Sequence, residues 1–120
     1  MGDYSPLHKG DTYTRTASAT ITGGQLVRVS GAGTVAAVSA ASDDWLGVAA
    51  FDAVNGDLVS VEVGGVQRIL ATGTVTQGEL VHGGTAGTVV THTNGTNDVN
   101  IVGLALTTAT DAVVEIQPIR

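Results

Sequence analysis

Along most of this chain apolar and polar positions alternate with a period of two, the pattern of half-buried β-strands. Leu26, Val27 and Val29 follow a Gly23-Gly24 turn, and Val35, Ala37 and Val38 follow a second glycine turn at 31–33. Residues 45–51 (WLGVAAF) form a continuous apolar run, which predicts a strand buried on both faces. The stretch DAVNGD at 52–57 contains Asn55-Gly56, a hairpin signal because both residues tolerate positive φ. Further strands are predicted around Leu58 to Val63, at 66–70, at Val75, Leu80-Val81 and Val89-Val90, and at 99–106 and 113–116. Turn residues recur about every ten positions, the spacing of sandwiches and barrels. No stretch carries a sustained helical period with caps. The fold class is therefore all-β.

Residues 1–19 depart from this pattern. They are polar, contain Pro6 and Gly10, hold both tyrosines of the chain (Tyr4 and Tyr13) and carry few aliphatics. They read as an extended N-terminal arm that orders on docking, with 20–120 as the β domain.

Within that domain the sequence repeats. TITGGQLV at 20–27 matches TVTQGELV at 74–81, which places Gly78 54 positions after Gly24. At the same offset GTV at 33–35 matches GTV at 87–89. With small shifts, LGVA at 46–49 matches VGLA at 102–105, and VEV at 61–63 matches VEI at 114–116. Two β units, about 20–63 and 74–116, thus share one order of elements. Neither is long enough to bury a good core alone, so the expectation is a single pseudo-symmetric small barrel or β-sandwich, tulip-like, built from both. Glu62 and Glu115 fall at matching places on strands and face away from the core by alternation.

Composition narrows the function. The 120-residue chain fits one domain, and with aromatics at 3% its core must be built from Val, Ala, Leu and Ile. It has no cysteine, which removes disulfides, thiolate catalysis and Cys-ligated metal. A formal charge of -6 repels phosphate, so nucleic acid is not an expected partner. No apolar run approaches the ~20 residues of a membrane span, so no membrane partner is expected. Residues 1–6 lack the pattern of a signal peptide, and Pro6 stands where a myristoylation motif needs Ser or Thr.

Candidate chemistry is sparse. His8, His82 and His92 are far apart in sequence. His82 and His92 can flank one hairpin and meet, and would hold a metal if a carboxylate joined them. Strand-edge polar residues are the plainer reading. Asp52, Asn55 and Asp57 fall short of a calcium loop, because Gly56 stands fifth and Val63 twelfth. The glycine-rich stretches at 31–34 and 83–85 lack the Lys and helix of a phosphate loop. Asn94-Gly95-Thr96 reads as a turn. No catalytic residue, metal or cofactor is expected, and the chain is not read as an enzyme. Trp45 fits core packing better than an interface anchor.

In order and spacing, several segments together resemble the cement, or head-decoration, family of tailed phages. They are YSPLHKGD (4–11), ASA (17–19), TGGQLV (22–27), LGVAAFDA (46–53), Gly56-Asp57, VEV (61–63), GVQR (65–68), GELV (78–81), GLAL (103–106) and the closing strand at 113–116. The resemblance implies a non-enzymatic structural protein on the outer capsid surface of a virion, made in the host cytoplasm. It implies the major capsid protein as partner and a homotrimer at local three-fold positions. It also suggests that the arm helps grip the capsid. An extended arm can add to a sheet edge, which would make Tyr4, Pro6, Leu7, His8, Lys9, Thr12 and Tyr13 the capsid-binding candidates. The alternatives are a virion-surface β module that binds glycan or a host receptor, and a small metal-dependent enzyme on a barrel.

Overall fold

The computed structural model describes residues 11–92 and 100–119. It is built of strands: β1 (Asp11–Ala17), β2 (Leu26–Gly31), β3 (Thr34–Ala37), β4 (Trp45–Ala49), β5 (Leu58–Val63), β6 (Gln67–Leu70), β7 (Thr74–Val75), β8 (Leu80–Gly83), β9 (Val89–Thr91), β10 (Ile101–Ala105), β11 (Ala109–Thr110) and β12 (Val113–Pro118), with a 3-10 turn at Thr85–Gly87.

The first five strands close into a barrel in the order β1-β3-β2-β4-β5. β1 closes it, running antiparallel to β5 from Asp11–Val63 to Thr16–Leu58 and parallel to β3 at Thr16–Thr34 and Ala17–Val35. The next five strands repeat that order as β6-β12-β10-β8-β9. Here the seam between β6 and β9 is spanned by one parallel bridge, Ala71–Val89, the counterpart of Ala17–Val35. The short β7–β11 pair (Val75–Ala109) repeats the isolated bridge Ile21–Ala53.

The all-β class and the small barrel are as expected, with two differences in detail. Only β1–β5 close fully; the second unit is a five-stranded sheet curled into a second barrel whose edges meet at the single Ala71–Val89 bridge. The first unit also begins earlier than position 20: residues 11–17, expected in the arm, are a barrel strand equivalent to β6. The repeat extends to individual core positions. Ala17, Ile21, Val27, Val35, Ala49, Ala53, Val59 and Val61 fill the first barrel. Ala71, Val75, Val81, Val89, Ala105, Ala109, Val114 and Ile116 occupy the same places in the second. The last pairs place Val61 on Ile116, so Glu62 corresponds to Gln117 and not to Glu115. The backbone agrees: Ala50 N–H donates to Ser60 O and Leu106 N–H to Glu115 O, both at 2.8 Å.

The same turn opens both units. Gly24 (φ 90°) and Gly78 (φ 88°) take the third position of a tight turn, where a type II bend demands positive φ. The side chain immediately before the strand locks it: Thr22 N–H donates to Gln25 Oε1 at 2.8 Å and Thr76 N–H to Glu79 Oε1 at 2.7 Å. Asn55-Gly56 also turns the chain, closed by Asp57 N–H to Val54 O at 2.9 Å. Of that pair Gly56 alone has positive φ, at 95°. The bend is therefore not the two-residue hairpin of positive-φ residues that the dipeptide predicts.

The two barrels are joined through a face of the first. Leu26, Val38, Trp45 and Val48 belong to no strand interior of barrel one; they pack into the second barrel's core beside Ile69 and Val102. Burying each of these side chains contributes about 1.5–3 kcal/mol. Trp45 is thus a core residue, as its sequence suggests, but of the inter-barrel core. Polar ties run alongside: Gly87 N–H to Val38 O at 2.8 Å, Gln25 Nε2 to Ala86 O at 3.0 Å and Asn100 Nδ2 to Ser42 O at 3.2 Å.

The loop that presents Ser42 is pinned by Asp43. Its Oδ2 accepts from Ser39 N–H at 2.7 Å, Ser39 Oγ at 3.0 Å and Ala40 N–H at 3.1 Å, with Arg28 Nε 3.7 Å away. Burial pushes the carboxyl up, but the Ser39 and Ala40 donors and Arg28 together hold it below its ordinary value. A depressed carboxylate adds stability above its unfolded pKa and loses it as pH falls through the folded one. Asp43→Ala is expected to cost about 1–2 kcal/mol at neutral pH. In urea titrations the difference between variant and parent should shrink as pH drops below about 4. A difference independent of pH would contradict this role.

Candidate functional site

Two ends of the barrels are equivalent, and one of them is filled. In barrel two, Gly83 leaves room for the first barrel: a Cβ there would stand 2.5 Å from Val38 Cγ1 and 3.4 Å from Leu26 Cδ2. Ile69, Val102 and Asn100 complete that end, all buried.

The corresponding end of barrel one is not filled by any described residue in that way. It forms a pocket of about 360 Å³ lined by Tyr13, Val29, Asp44, Trp45, Leu46 and Val63. By the repeat these are the places of Gln67, Gly83, Asn100, Ile101, Val102 and Pro118. Tyr13 is 41% exposed and Val29 51%, large for apolar groups on a sheet. Strand alternation puts Tyr13, Arg15 and Ala17 on one face of β1. Arg15 stands where Ile69 stands in barrel two. Its guanidinium lies 5.2 Å from the Tyr13 ring centroid and donates to Thr14 O at 2.9 Å. The rim is therefore mostly apolar, with the Asp44 carboxylate in its lining and the Arg15 cation stacked on an aromatic ring beside it.

Of the sequence candidates, Thr12 and Tyr13 are exposed positions of β1. Tyr4, Pro6, Leu7, His8 and Lys9 lie outside the described residues, as does Asn94-Gly95-Thr96. His82 and His92 do meet, edge to face, with ring centroids 5.5 Å apart. Among the described residues no third His, Cys, Asp or Glu joins them in a cluster that could hold a metal. His82 Nδ1 lies 2.9 Å from Gly83 O. Asp52 is committed to the opening turn, where Oδ1 accepts from Gly23 N–H at 2.8 Å. Glu115 faces outward beside Arg68 at 3.9 Å. Trp45, the best ring for stacking on a sugar, is buried, which leaves Tyr13 and Phe51 as the exposed aromatics of the described residues. What the arrangement offers is surface: an apolar pocket and exposed aliphatic strands.

Sequence reasoning missed Val29, Leu46 and Val63 as pocket residues. The available signal was the repeat itself, because Val29 breaks the match to Gly83 at a place where a small residue makes room for a neighbour.

A family model of phage cement proteins matches residues 7–117. A search of the curated proteins finds no match. Among solved structures, the crystal structure of the head fiber gp8.5 N base in bacteriophage phi29 is similar, with a TM-score of 0.68, 20% sequence identity, and coverage of 91% of this chain and 93% of that one. At that identity the likeness speaks for the fold.

Proposed function

Because the chain belongs to the phage cement protein family, we propose that it is a non-enzymatic decoration protein that binds the outer surface of a phage head and braces the lattice of the major capsid protein. The family match over residues 7–117 carries this reading. The working form is a homotrimer at local three-fold positions, each copy touching more than one capsid subunit. Avidity then comes from simultaneous engagement, not from one tight site.

Residues 1–10 serve as the arm, with Tyr4, Pro6, Leu7, His8 and Lys9 pressed against the capsid and Thr12 and Tyr13 continuing the contact along β1. The test is co-sedimentation with expanded heads that lack this protein, comparing the full chain with a chain that begins at Asp11. The deletion stops at Gly10 because removing β1 would open the barrel. Saturable binding by the full chain is expected, weakened at least tenfold by the deletion. Binding unaffected by the deletion would move the grip to the barrels. No binding by either form would overturn the decoration reading and favour a glycan- or receptor-binding surface module.

A further inference from the structure

We propose that the open end of barrel one is a socket for a second copy of this chain, and that the outer face of β8 and β10 around Leu80 and Leu104 fills it. The inference deepens the self-association proposed above and rests on that part of the reading, not on capsid binding.

The argument comes from the repeat. Within one chain the two barrels do not meet face to matching face. The outer face of barrel one enters the end of barrel two, a head-to-tail contact between equivalent units. Such a contact leaves one unused copy of each partner surface. The unused end is the pocket at Tyr13, Val29, Leu46 and Val63. The unused face is that of barrel two. In barrel one Leu26 and Val48 are direct cross-strand neighbours, 0% and 6% exposed because the second barrel covers them. Their equivalents Leu80 and Leu104 are also direct cross-strand neighbours, yet Leu80 is 39% exposed, and no described element is seated on it as the second barrel is on Leu26. Ile101 stands in the place of Trp45, and His92 in that of Val38. Two largely apolar surfaces, whose twins bury each other within the chain, are thus left uncovered by the described residues.

The contact between copies differs from the internal one in depth. Val29 carries a side chain where Gly83 has none, so the incoming leucines seat higher, against Tyr13 and Val29 at the rim. A shallower and smaller contact suits assembly of separate copies better than the permanent joint inside one chain. Repeated head-to-tail contacts close into a ring when the rotation allows. Three copies would then present six equivalent barrels around one axis.

The test uses the full chain and sedimentation equilibrium. The parent is expected to exceed the 12.0 kDa of one chain. Leu80→Asp and Val29→Asp should each reduce it to that mass while leaving the melting temperature in place, since both positions are exposed. Mixing the two variants leaves one intact face and one intact socket, so the mixture should form a 1:1 dimer that neither forms alone. As the chain has no cysteine, Val29→Cys and Leu80→Cys supply single thiols. Oxidation should link them in the mixture at least tenfold more than in either variant by itself. A parent of single-chain mass, an unchanged mass in both aspartate variants, or a thiol variant that links mainly to itself would each overturn the proposal. A chain that coats heads yet stays monomeric would sink this inference alone, and one that assembles yet coats no heads would sink the decoration reading alone.

Discussion

Gly103→Ala is expected to destabilise the protein by about 3 kcal/mol or more and to lower its melting temperature by roughly 10 °C. β10 is bulged where Ile101 pairs with His82 and Gly103 with Val81, and Gly103 also faces Pro118 on β12. A Cβ at Gly103 would run into the Gln117 carbonyl oxygen, with the Gln117 carbonyl carbon and the Pro118 Cα both 2.8 Å away. These are backbone atoms of a paired strand, so they cannot step aside as a flexible side chain does. Gly47, its equivalent in barrel one, meets the Glu62 carbonyl oxygen in the same way, with Val63 Cγ1 at 2.9 Å. Gly47→Ala should therefore cost a similar amount. Calorimetric melting of both variants checks this against Thr12→Ala, an exposed strand position expected to change stability by less than about 0.5 kcal/mol. Melting within about 2 °C of the parent in either glycine variant would show that the strands separate freely at the bulge.

Trp45→Ala should cost about 3–5 kcal/mol in urea unfolding followed by circular dichroism. Trp45 is 3% exposed and sits in the inter-barrel core with Leu26, Val38 and Val48. The loss combines the apolar surface no longer removed from water with a void that a closed barrel and the curled sheet packed on it cannot easily collapse. Trp45→Phe keeps a ring in place and should recover at least half of the loss. A cost below about 1 kcal/mol for alanine would mean that the barrels are held by the polar ties and not by this face.

These effects bear on how far the sequence could be read. The all-β class, the glycine turns and the repeat were all legible, because alternation and the TITGGQLV/TVTQGELV match are local signals. The closure of each barrel was not. It depends on parallel contacts such as Ala17–Val35 and Ala71–Val89, which no local pattern announces. β1 escaped for a different reason. Its sequence, DTYTRTA, offers one small buried residue, Ala17, and puts Tyr13 and Arg15 where β6 puts Gln67 and Ile69, so its inward face does not look apolar. The VEV and VEI segments misled by likeness. Each places a glutamate between aliphatics, but only pairing to β4 and β10 shows that their registers differ by two residues. For the candidate site, Tyr13 was legible as an exposed aromatic near the N-terminus. The pocket beneath it was not, since it exists only where the second barrel's counterpart is occupied.

The one-sided sharing of core residues also sets an order of assembly during synthesis. The eight interior positions of barrel one all come from residues 17–61, and these leave the ribosome first. The interior of barrel two includes four side chains from that earlier barrel. Domains form as units from the N-terminus as the chain emerges. Barrel one can therefore condense on its own residues, while barrel two has to condense onto a surface already in place. The first half of the chain thus acts as a template for the second, and a nascent chain that has emerged only as far as Val63 would carry Leu26, Val38, Trp45 and Val48 as a sticky, uncapped face.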